Sequence, residues 1–325
     1  MSKPVHVVAA VIRNAEQEIL LALRPSNKHM GGLWEFPGGK CEFGEHPVQA
    51  LARELYEELG IIIDEPQPLI QVRHSYPDLD ILLDVYEVQR FTGQAYGAEG
   101  QTVRWVAAQD LTHYQFPAAN RTIVTAAQLP KCYLITPEQL SIEELYEGVE
   151  QALVEGCELV QLRAEHLSER EYKALAARLQ RLCAGRAQLL LKGDLAWQDA
   201  FSDVGWHLTA QQLQALQGQQ RPLAHGRMLA ASCHNAEELQ WAAELEVDFV
   251  TLSPVLPTQT HPNTVALGWD AAQQLLLECN MPVFLLGGLH IDHLHQARSI
   301  GGQGVAGIRA FWPQPLSKSR KTSYF

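Results

Sequence analysis

The segment Gly38–Ile61 reads GGKCEFGEHPVQALARELYEELGI, and its second half decides how the first part of the chain folds. Val48, Leu51, Leu55 and Leu59 recur at helical spacing and fall on one apolar stripe at about 100° per residue. Pro47 suits a first helical turn and Gly60 a position just past the last, so the spacing predicts a helix over Pro47–Leu59. Glu54, Glu57 and Glu58 stand at i, i+3 and i+4 on an adjoining face. Carboxylates so spaced repel one another and add nothing to helix stability. A hard divalent cation relieves that repulsion, and Mg²⁺ binds through carboxylates together with substrate phosphates. Such an ion polarises a phosphoryl oxygen, activates a water and orients a leaving group. Arg53 can pair with Glu45 and hold the preceding loop on the helix. A solvated acidic face would account for the three glutamates, but not for Gly39, Glu45, Arg53 and Gly60 at their offsets.

Outward from this helix, Val5–Ile12, Ile19–Leu23, Ile81–Gln89 and Val103–Val106 read as strands, and Ala118–Leu129 as a closing helix. This is an α+β unit with a mixed sheet between helices. Pro130 marks a break, which places a first domain at 1–128 and a linker at 129–131. The rhythm then changes. Eight short apolar runs alternate with helical stretches such as Ile142–Glu155 and Glu169–Cys183: Cys132–Ile135, Leu159–Arg163, Gln188–Leu191, Gly205–Leu208, Met228–Ser232, Phe249–Ser253, Pro282–Leu286 and Gly304–Ile308. Regular β–α alternation implies a parallel sheet, and eight repeats in so short a span predict an α/β (β/α)₈ TIM-type barrel over 132–312. Pro313 and Pro315 leave the last helix short or absent, and 313–325 reads as a polar, mobile tail.

A length of 325 residues suits two domains. Apolar residues make up 46% and charged ones 19%, so real cores can form. A formal net charge of -12 repels polymer phosphate and argues against a nucleic-acid partner, while a small nucleotide screened by metal remains compatible. Cys41, Cys132, Cys157, Cys183, Cys233 and Cys279 are scattered without a C-x-x-C pair, as expected for a cytoplasmic chain without disulfides or zinc. No apolar run approaches the length of a membrane span.

Gly39, Glu45, Arg53, Glu54, Leu55, Glu57, Glu58, Gly60 and Ile61 fill every fixed position of the pattern G-x5-E-x7-R-E-U-x-E-E-x-G-U, where U is a bulky aliphatic residue. On this box the first domain is identified as a member of the Nudix hydrolases. Beyond the box it resembles the MutT-type 8-oxo-dGTP diphosphatases in HM at 29–30, EFPGGK at 35–40, YPD at 76–78, GAEGQ at 97–101 and FPAAN at 116–120. The resemblance implies Mg²⁺, with Mn²⁺ able to substitute, held by the Gly38 carbonyl, Glu54, Glu57, Glu58 and Glu99. It implies catalytic roles for Glu54, Glu45 and Arg53, with Glu54 first in line to position or deprotonate the water. Arg24 and His29 would face the phosphates or sugar, Phe36 would pack on the base beside Pro37, Gly38 and Gly39, and Asp78 and Asn120 would read the base edge. An amide such as Asn120 offers both a donor and an acceptor, which suits an oxidised purine edge. The competing reading of Asn120 is a helix N-cap ahead of Ile123 and Val124. Leu79 stands where members of the family carry a basic residue, which implies looser base selectivity.

The second domain resembles the thiamine phosphate synthase and thiazole tautomerase family in CYLIT from Cys132, VQLR from Val160, GWHL from Gly205, SCH from Ser232, DFVTLSPVLPTQT from Asp248, PVFLLGG from Pro282 and GVAGI from Gly304. Barrel geometry gathers strand C-termini at one face. Arg163, Asp194, His207, His234, Gly287, Gly288 and Gly307 are the candidates there for a phosphorylated thiazole or thiamine ligand. The sequence departs from the family's pattern at several points. Glu165 stands near the lysine expected after QLR, Gly193-Asp194 replaces an Asn-Asp pair, and Gln211–Gln212 replaces an acidic residue. His261 replaces a lysine, and Pro254 lies about where a tautomerase histidine is expected. A barrel kept for ligand binding is therefore expected over a catalytic one. The leading expectation is a nucleotide-pool-sanitising hydrolase of oxidised purine nucleoside triphosphates. The alternative is a bifunctional thiamine-pathway enzyme whose Nudix domain cleaves a thiamine-related diphosphate.

Overall fold

The computed structural model describes residues 4–26, 30–77, 79–258 and 264–313. Two compact units emerge, divided between Leu129 and Pro130, with residues 298–301 grouped with the first. Among the described residues no helix is long and apolar enough to cross a membrane.

The first unit is built around β1 (Val5–Ile12). The strands β2 (Ile19–Leu23), β3 (Trp34–Glu35), the helix α1 (Pro47–Leu59), and β4 (Ile62–Asp64), β5 (Gln67–Ser75), β6 (Asp80–Val88), β7 (Arg90–Thr92) and β8 (Val103–Val106) follow, and α2 (Arg121–Gln128) closes it. β1 pairs in parallel with β6, from Val5 opposite Ile81 to Ile12 opposite Val88, and β5 lies antiparallel on the other side of β6. β2 sits between β3 and β8, and β4 pairs with β7. Side chains alternate across a strand, and β1 uses both faces. Val8, Ala10 and Ile12 pack with Ala50, Leu51, Leu55 and Leu59 of α1. Ala9 and Val11 pack with Ile123, Ala126 and Ala127 of α2. A strand buried on both sides reads as a continuous apolar run, as VVAAVI does over the part of β1 beyond His6. Each fully buried leucine of α1 contributes about 1.5–3 kcal/mol relative to exposure. The stripe expected on α1 is realised with Ala50 completing it, while Val48 is half-buried. The closing helix begins later than the sequence suggests: Ala118–Asn120 is a single 3₁₀ turn and the α-helix starts at Arg121.

The second unit is a closed eight-stranded parallel barrel. Its strands are β9 (Cys132–Ile135), β10 (Leu159–Leu162), β11 (Gln188–Leu191), β12 (Gly205–Leu208), β13 (Leu229–Cys233), β14 (Phe249–Leu252), β15 (Val283–Leu285) and β16 (Gly304–Gly307). Sequential neighbours pair throughout, and β16 closes on β9 with Val305 opposite Cys132. The connecting helices are α3 (Ile142–Val154), α4 (Glu169–Cys183), α5 (Ala210–Ala215), α6 (Ala236–Glu244), α7 (Gly268–Leu277) and α8 (Leu294–Ser299). Reciprocal capping boxes at Ser141/Glu144 and Ser168/Glu171 start α3 and α4 by satisfying amide donors that a helix start leaves unpaired. Between β11 and β12 a 3₁₀ turn over Leu195–Ala200 takes the place of a helix. Among the described residues no helix follows β16. The barrel interior is filled by Tyr133, Phe249 and Phe284, whose ring centroids lie 5.3–5.6 Å apart.

Candidate active site

His46 caps α1, its Nδ1 accepting from the Val48 amide, and Gly60 ends the helix in the left-handed region at φ 67°. The acidic face of α1 therefore starts and stops where the flanking loops need it. Glu45 and Arg53 form a two-pronged pair, with Arg53 Nε 3.1 Å from Glu45 Oε1 and Nη2 3.0 Å from Oε2. Glu45 also accepts from the Glu42 amide within the loop, and Arg53 Nη2 donates to the Lys40 carbonyl, so Arg53 fastens the loop to the helix at both Glu45 and Lys40. The Arg53 guanidinium and these bonds hold the Glu45 carboxyl below its usual range. The remaining nitrogen of Arg53, Nη1, lies 2.8 Å from Glu54 Oε1 and 3.2 Å from Glu57 Oε2.

Pro37–Gly39 crosses the end of this helix. The Pro37 and Gly39 carbonyls accept from Ala10 and Val8 of β1. Among the described residues the Gly38 carbonyl between them accepts no hydrogen bond. The Gly38 amide donates to Glu58 Oε2 at 3.2 Å. A side chain at position 39 would have to displace the Glu54 carboxylate, because a Cβ there would lie 2.1 Å from Glu54 Oε2. Glu54 and Glu58 are thus pressed on the backbone that carries the free carbonyl.

The loop bearing Glu99 docks on the last turn of α1. Gln101 Nε2 donates to the Glu58 carbonyl at 2.8 Å while Gln101 Oε1 accepts from the Glu99 amide at 3.0 Å, and the Ala98 amide also donates to the Glu58 carbonyl. Burial raises the Glu58 carboxyl to about 7, and the negative charges of Glu35, Glu54 and Glu99 push in the same direction against the Gly38 amide bond. A half-buried carboxyl crowded by other carboxylates is a site short of positive charge. Among the described residues no three acidic, histidine or cysteine side chains converge closely enough to enclose an ion, and Glu54 and Glu57 are turned onto Arg53. The donor chemistry still fits a hard cation: a free backbone carbonyl and carboxylate oxygens, on one turn of helix and the strand beside it.

Arg24 at the end of β2 pairs with Glu35 of β3. Phe36 is 3% exposed and stacks on Phe116 with ring centroids 5.6 Å apart. Asn120 is 8% exposed and occupies the N-cap position of α2, as the competing reading expects, but its side chain makes no cap bond to the helix. The expected contributions of His29 and Asp78 lie outside the described residues.

In the barrel, a cavity of about 780 Å³ opens at the strand C-termini, with Arg163, His234, Gly287, Gly288 and Gly307 on its wall. Gly288, at φ 66°, turns the chain in the left-handed region, and a Cβ there would lie 2.6 Å from the Pro257 carbonyl. His234 is held by Glu238 at 2.8 Å. Two expected ligand residues are elsewhere. Asp194 is exposed and caps the turn after β11, its Oδ1 accepting from Ala196. His207 lies below the cavity in the barrel core, its Nδ1 3.0 Å from the Tyr133 hydroxyl and its Nε2 3.0 Å from Ser232 Oγ. Burial keeps that imidazole well below its usual range, hence neutral. A residue absent from the sequence-derived set, Lys192, lines the cavity. The signal for it in the sequence is a lysine directly following a buried strand.

Comparison with known proteins agrees with this division. A NUDIX domain model matches residues 8–126, and a thiamine monophosphate synthase model matches 132–311. A protein of Escherichia coli (strain K12) named 8-oxo-dGTP diphosphatase is 37% identical over 122 residues, which are 38% of this chain and 95% of that protein. A CTP pyrophosphohydrolase from the same organism is 36% identical over 124 residues, 38% of this chain and 91% of its own. A putative thiamine-phosphate synthase 2 of Aquifex aeolicus (strain VF5) is 30% identical over 187 residues, 57% of this chain and 98% of its own. The chain therefore belongs to two families at once, to the Nudix hydrolases through its first unit and to the thiamine monophosphate synthase family through its barrel.

Proposed function

We propose that the first unit hydrolyses 8-oxo-dGTP and related oxidised purine nucleoside triphosphates to the monophosphate and pyrophosphate, with Mg²⁺, and so cleanses the nucleotide pool. The observation that carries the choice of base is Asn120: the residue is 8% exposed, and its side-chain amide makes no cap bond to α2 and no other hydrogen bond among the described residues. An amide left open in this way offers one donor and one acceptor, and a base edge with the complementary pair would bond both. The likeness to an 8-oxo-dGTP diphosphatase supports the same reading.

Gly38 through its carbonyl, with Glu54, Glu57, Glu58 and Glu99, would hold Mg²⁺ or Mn²⁺. When bound, the ion supplies Lewis-acid polarisation of the phosphoryl oxygens and charge neutralisation. Glu54, wedged against Gly39 and gripped by Arg53, takes the proton of the attacking water. Water adds to the β-phosphorus and the bond to the oxygen bridging α and β breaks. That oxygen leaves with the nucleoside monophosphate, and the β and γ phosphoryl groups leave as pyrophosphate. Arg53 and Glu45 position the loop and the base rather than touching substrate. Arg24 faces the phosphates. In the barrel, Gly287, Gly288 and Gly307 cradle the phosphate of a thiazole or thiamine compound, and the domain binds rather than transforms it.

A panel of 8-oxo-dGTP, dGTP, CTP and thiamine diphosphate, each with Mg²⁺, tests this. The expected result is the highest kcat/KM for 8-oxo-dGTP, with that preference lost in Asn120→Ala. Higher kcat/KM for CTP or thiamine diphosphate would replace the proposed substrate class.

A further inference from the structure

The barrel cavity contains a basic group that neither the Nudix chemistry nor the glycine cradle uses. Lys192 directly follows β11, and Arg163 directly follows β10, the neighbouring strand. Both line the cavity. In the closed order β9 to β16, β11 stands opposite β15, so Lys192 faces the Gly287–Gly288 turn across the barrel mouth.

The backbone of Lys192 is pinned. Its amide donates to the Leu162 carbonyl at 3.1 Å, and the Tyr172 hydroxyl lies 3.1 Å from both its amide and its carbonyl. Its side chain is different. Among the described residues the amine has no ion pair, although carboxylates are close by. Glu138 and Glu165 are both turned to Arg163 instead, at 2.7 Å and 3.6 Å. Burial lowers the proton affinity of Lys192 and the Arg163 cation lowers it further, against a smaller opposing pull from Glu165 and Glu138. A desolvated lysine beside a second cation is a recognised way to make an amine nucleophilic near neutral pH.

We propose that Lys192 captures a small aldehyde or ketone bearing a phosphate group, as an imine, in the barrel cavity. The amine nitrogen forms a bond to the carbonyl carbon, the carbonyl oxygen leaves as water, and no oxidant or reductant is needed. The phosphate rests on the Gly287–Gly288 turn opposite, whose amides donate to no backbone carbonyl among the described residues. A cavity of about 780 Å³ has room for such a molecule. Capture is separate from nucleotide hydrolysis, and its phosphate seat rests on the glycine cradle proposed above, whereas the reactive amine does not.

The full-length protein is incubated with pyridoxal 5′-phosphate, an aldehyde carrying a phosphate, reduced with borohydride, and mapped by peptide mass spectrometry. Pyridoxal without the phosphate serves as the comparison. The expected result is severalfold more label on Lys192 than on any other lysine, because its amine is the more readily deprotonated and has a phosphate seat facing it. Excess inorganic phosphate should suppress it, and pyridoxal should label it weakly. Lys192→Arg, checked for folding by circular dichroism, should lose that adduct alone. Label spread evenly over the lysines overturns the proposal. So does an unlabelled Lys192 in a protein that binds phosphate by calorimetry, since the residue would then be only an ammonium contact for an anion. Because the wild-type map alone decides the matter, a misfolded variant would not shelter the idea.

Discussion

Replacing Gly39 with alanine tests whether Glu54 is a working carboxylate or part of a surface charge pattern. A Cβ at position 39 would fall 2.1 Å from Glu54 Oε2, whereas ordinary contact begins at 3.4 Å. The carboxylate must therefore retreat by about 1.3 Å. Misplacing a group in a reacting site by about 1 Å can cost roughly 10²-fold in rate. Stability should respond differently. Glu54 ends a flexible side chain, and its bond to Arg53 is part-buried, so losing it costs about 1 kcal/mol. Alanine also narrows the unfolded ensemble, which returns about 0.4–1 kcal/mol. Gly39→Ala should thus lower kcat/KM for 8-oxo-dGTP about 10²-fold with a melting temperature within a few degrees of wild type. Steady-state kinetics with Mg²⁺ and a thermal melt on the same preparation give both numbers. Activity within a few-fold of wild type at unchanged stability would mean that the position of Glu54 does not matter, and the catalytic reading of the helix would fail.

Glu54→Gln keeps the shape of the side chain but removes its basicity, so turnover should fall by two or more orders of magnitude while Mg²⁺-dependent stabilisation drops less; wild-type turnover would exclude the residue as base. Full chelation should abolish hydrolysis and added Mg²⁺ or Mn²⁺ restore it, and chelator-resistant cleavage would remove the metal from the chemistry. Tyr133→Phe deletes a hydroxyl that accepts from Gln161 and bonds His207 inside the barrel. The stranded partners should cost about 1–3 kcal/mol in a denaturation experiment, and an unchanged midpoint would show that the network rearranges freely. His207 is neutral in the fold and protonates near pH 6.5 once unfolded. Between its low folded value and 6.5 the unfolded chain holds the extra proton, so stability is full above 6.5 and declines as pH falls below it, by at most about 1.4 kcal/mol per pH unit. His207→Gln should flatten that part of the stability profile, and an identical slope in the variant would assign the effect to other groups.

The helix over Pro47–Leu59 and the strands at 5–12, 19–23 and 103–106 were legible because periodicity, caps and turns agreed. β5 was not. Its nine residues start at Gln67-Pro68, carry Gln71 and Arg73 on the open face, and slip in register between Pro68 and Ile70. Proline and an irregular alternation hide a strand from pattern reading, and only pairing with β6 makes it one. β3, β4 and β7 are two or three residues long, too short for any period to show. In the site, the Glu45–Arg53 pair followed from spacing alone, whereas the grip of Arg53 on Glu54 and Glu57 did not, because a sequence cannot say which of four nearby carboxylates an arginine chooses. In the barrel the strand ends were readable, but side-chain direction was not. His207 points into the core and Asp194 out to a cap, and both sit within short strings that looked like cavity wall.

The pairing of Val305 with Cys132 has a consequence for how damage is felt. A ring of strands has no spare member: losing the final segment Gly304–Gly307 would strip partners from both β9 and β15 in one stroke. Two naked borders would then offer their amides to any neighbouring chain. A ribosome that stalls, or a protease that cuts, shortly before that segment should yield a sticky species rather than a slightly weaker barrel. The four residues at the seam act like the last stave of a cask.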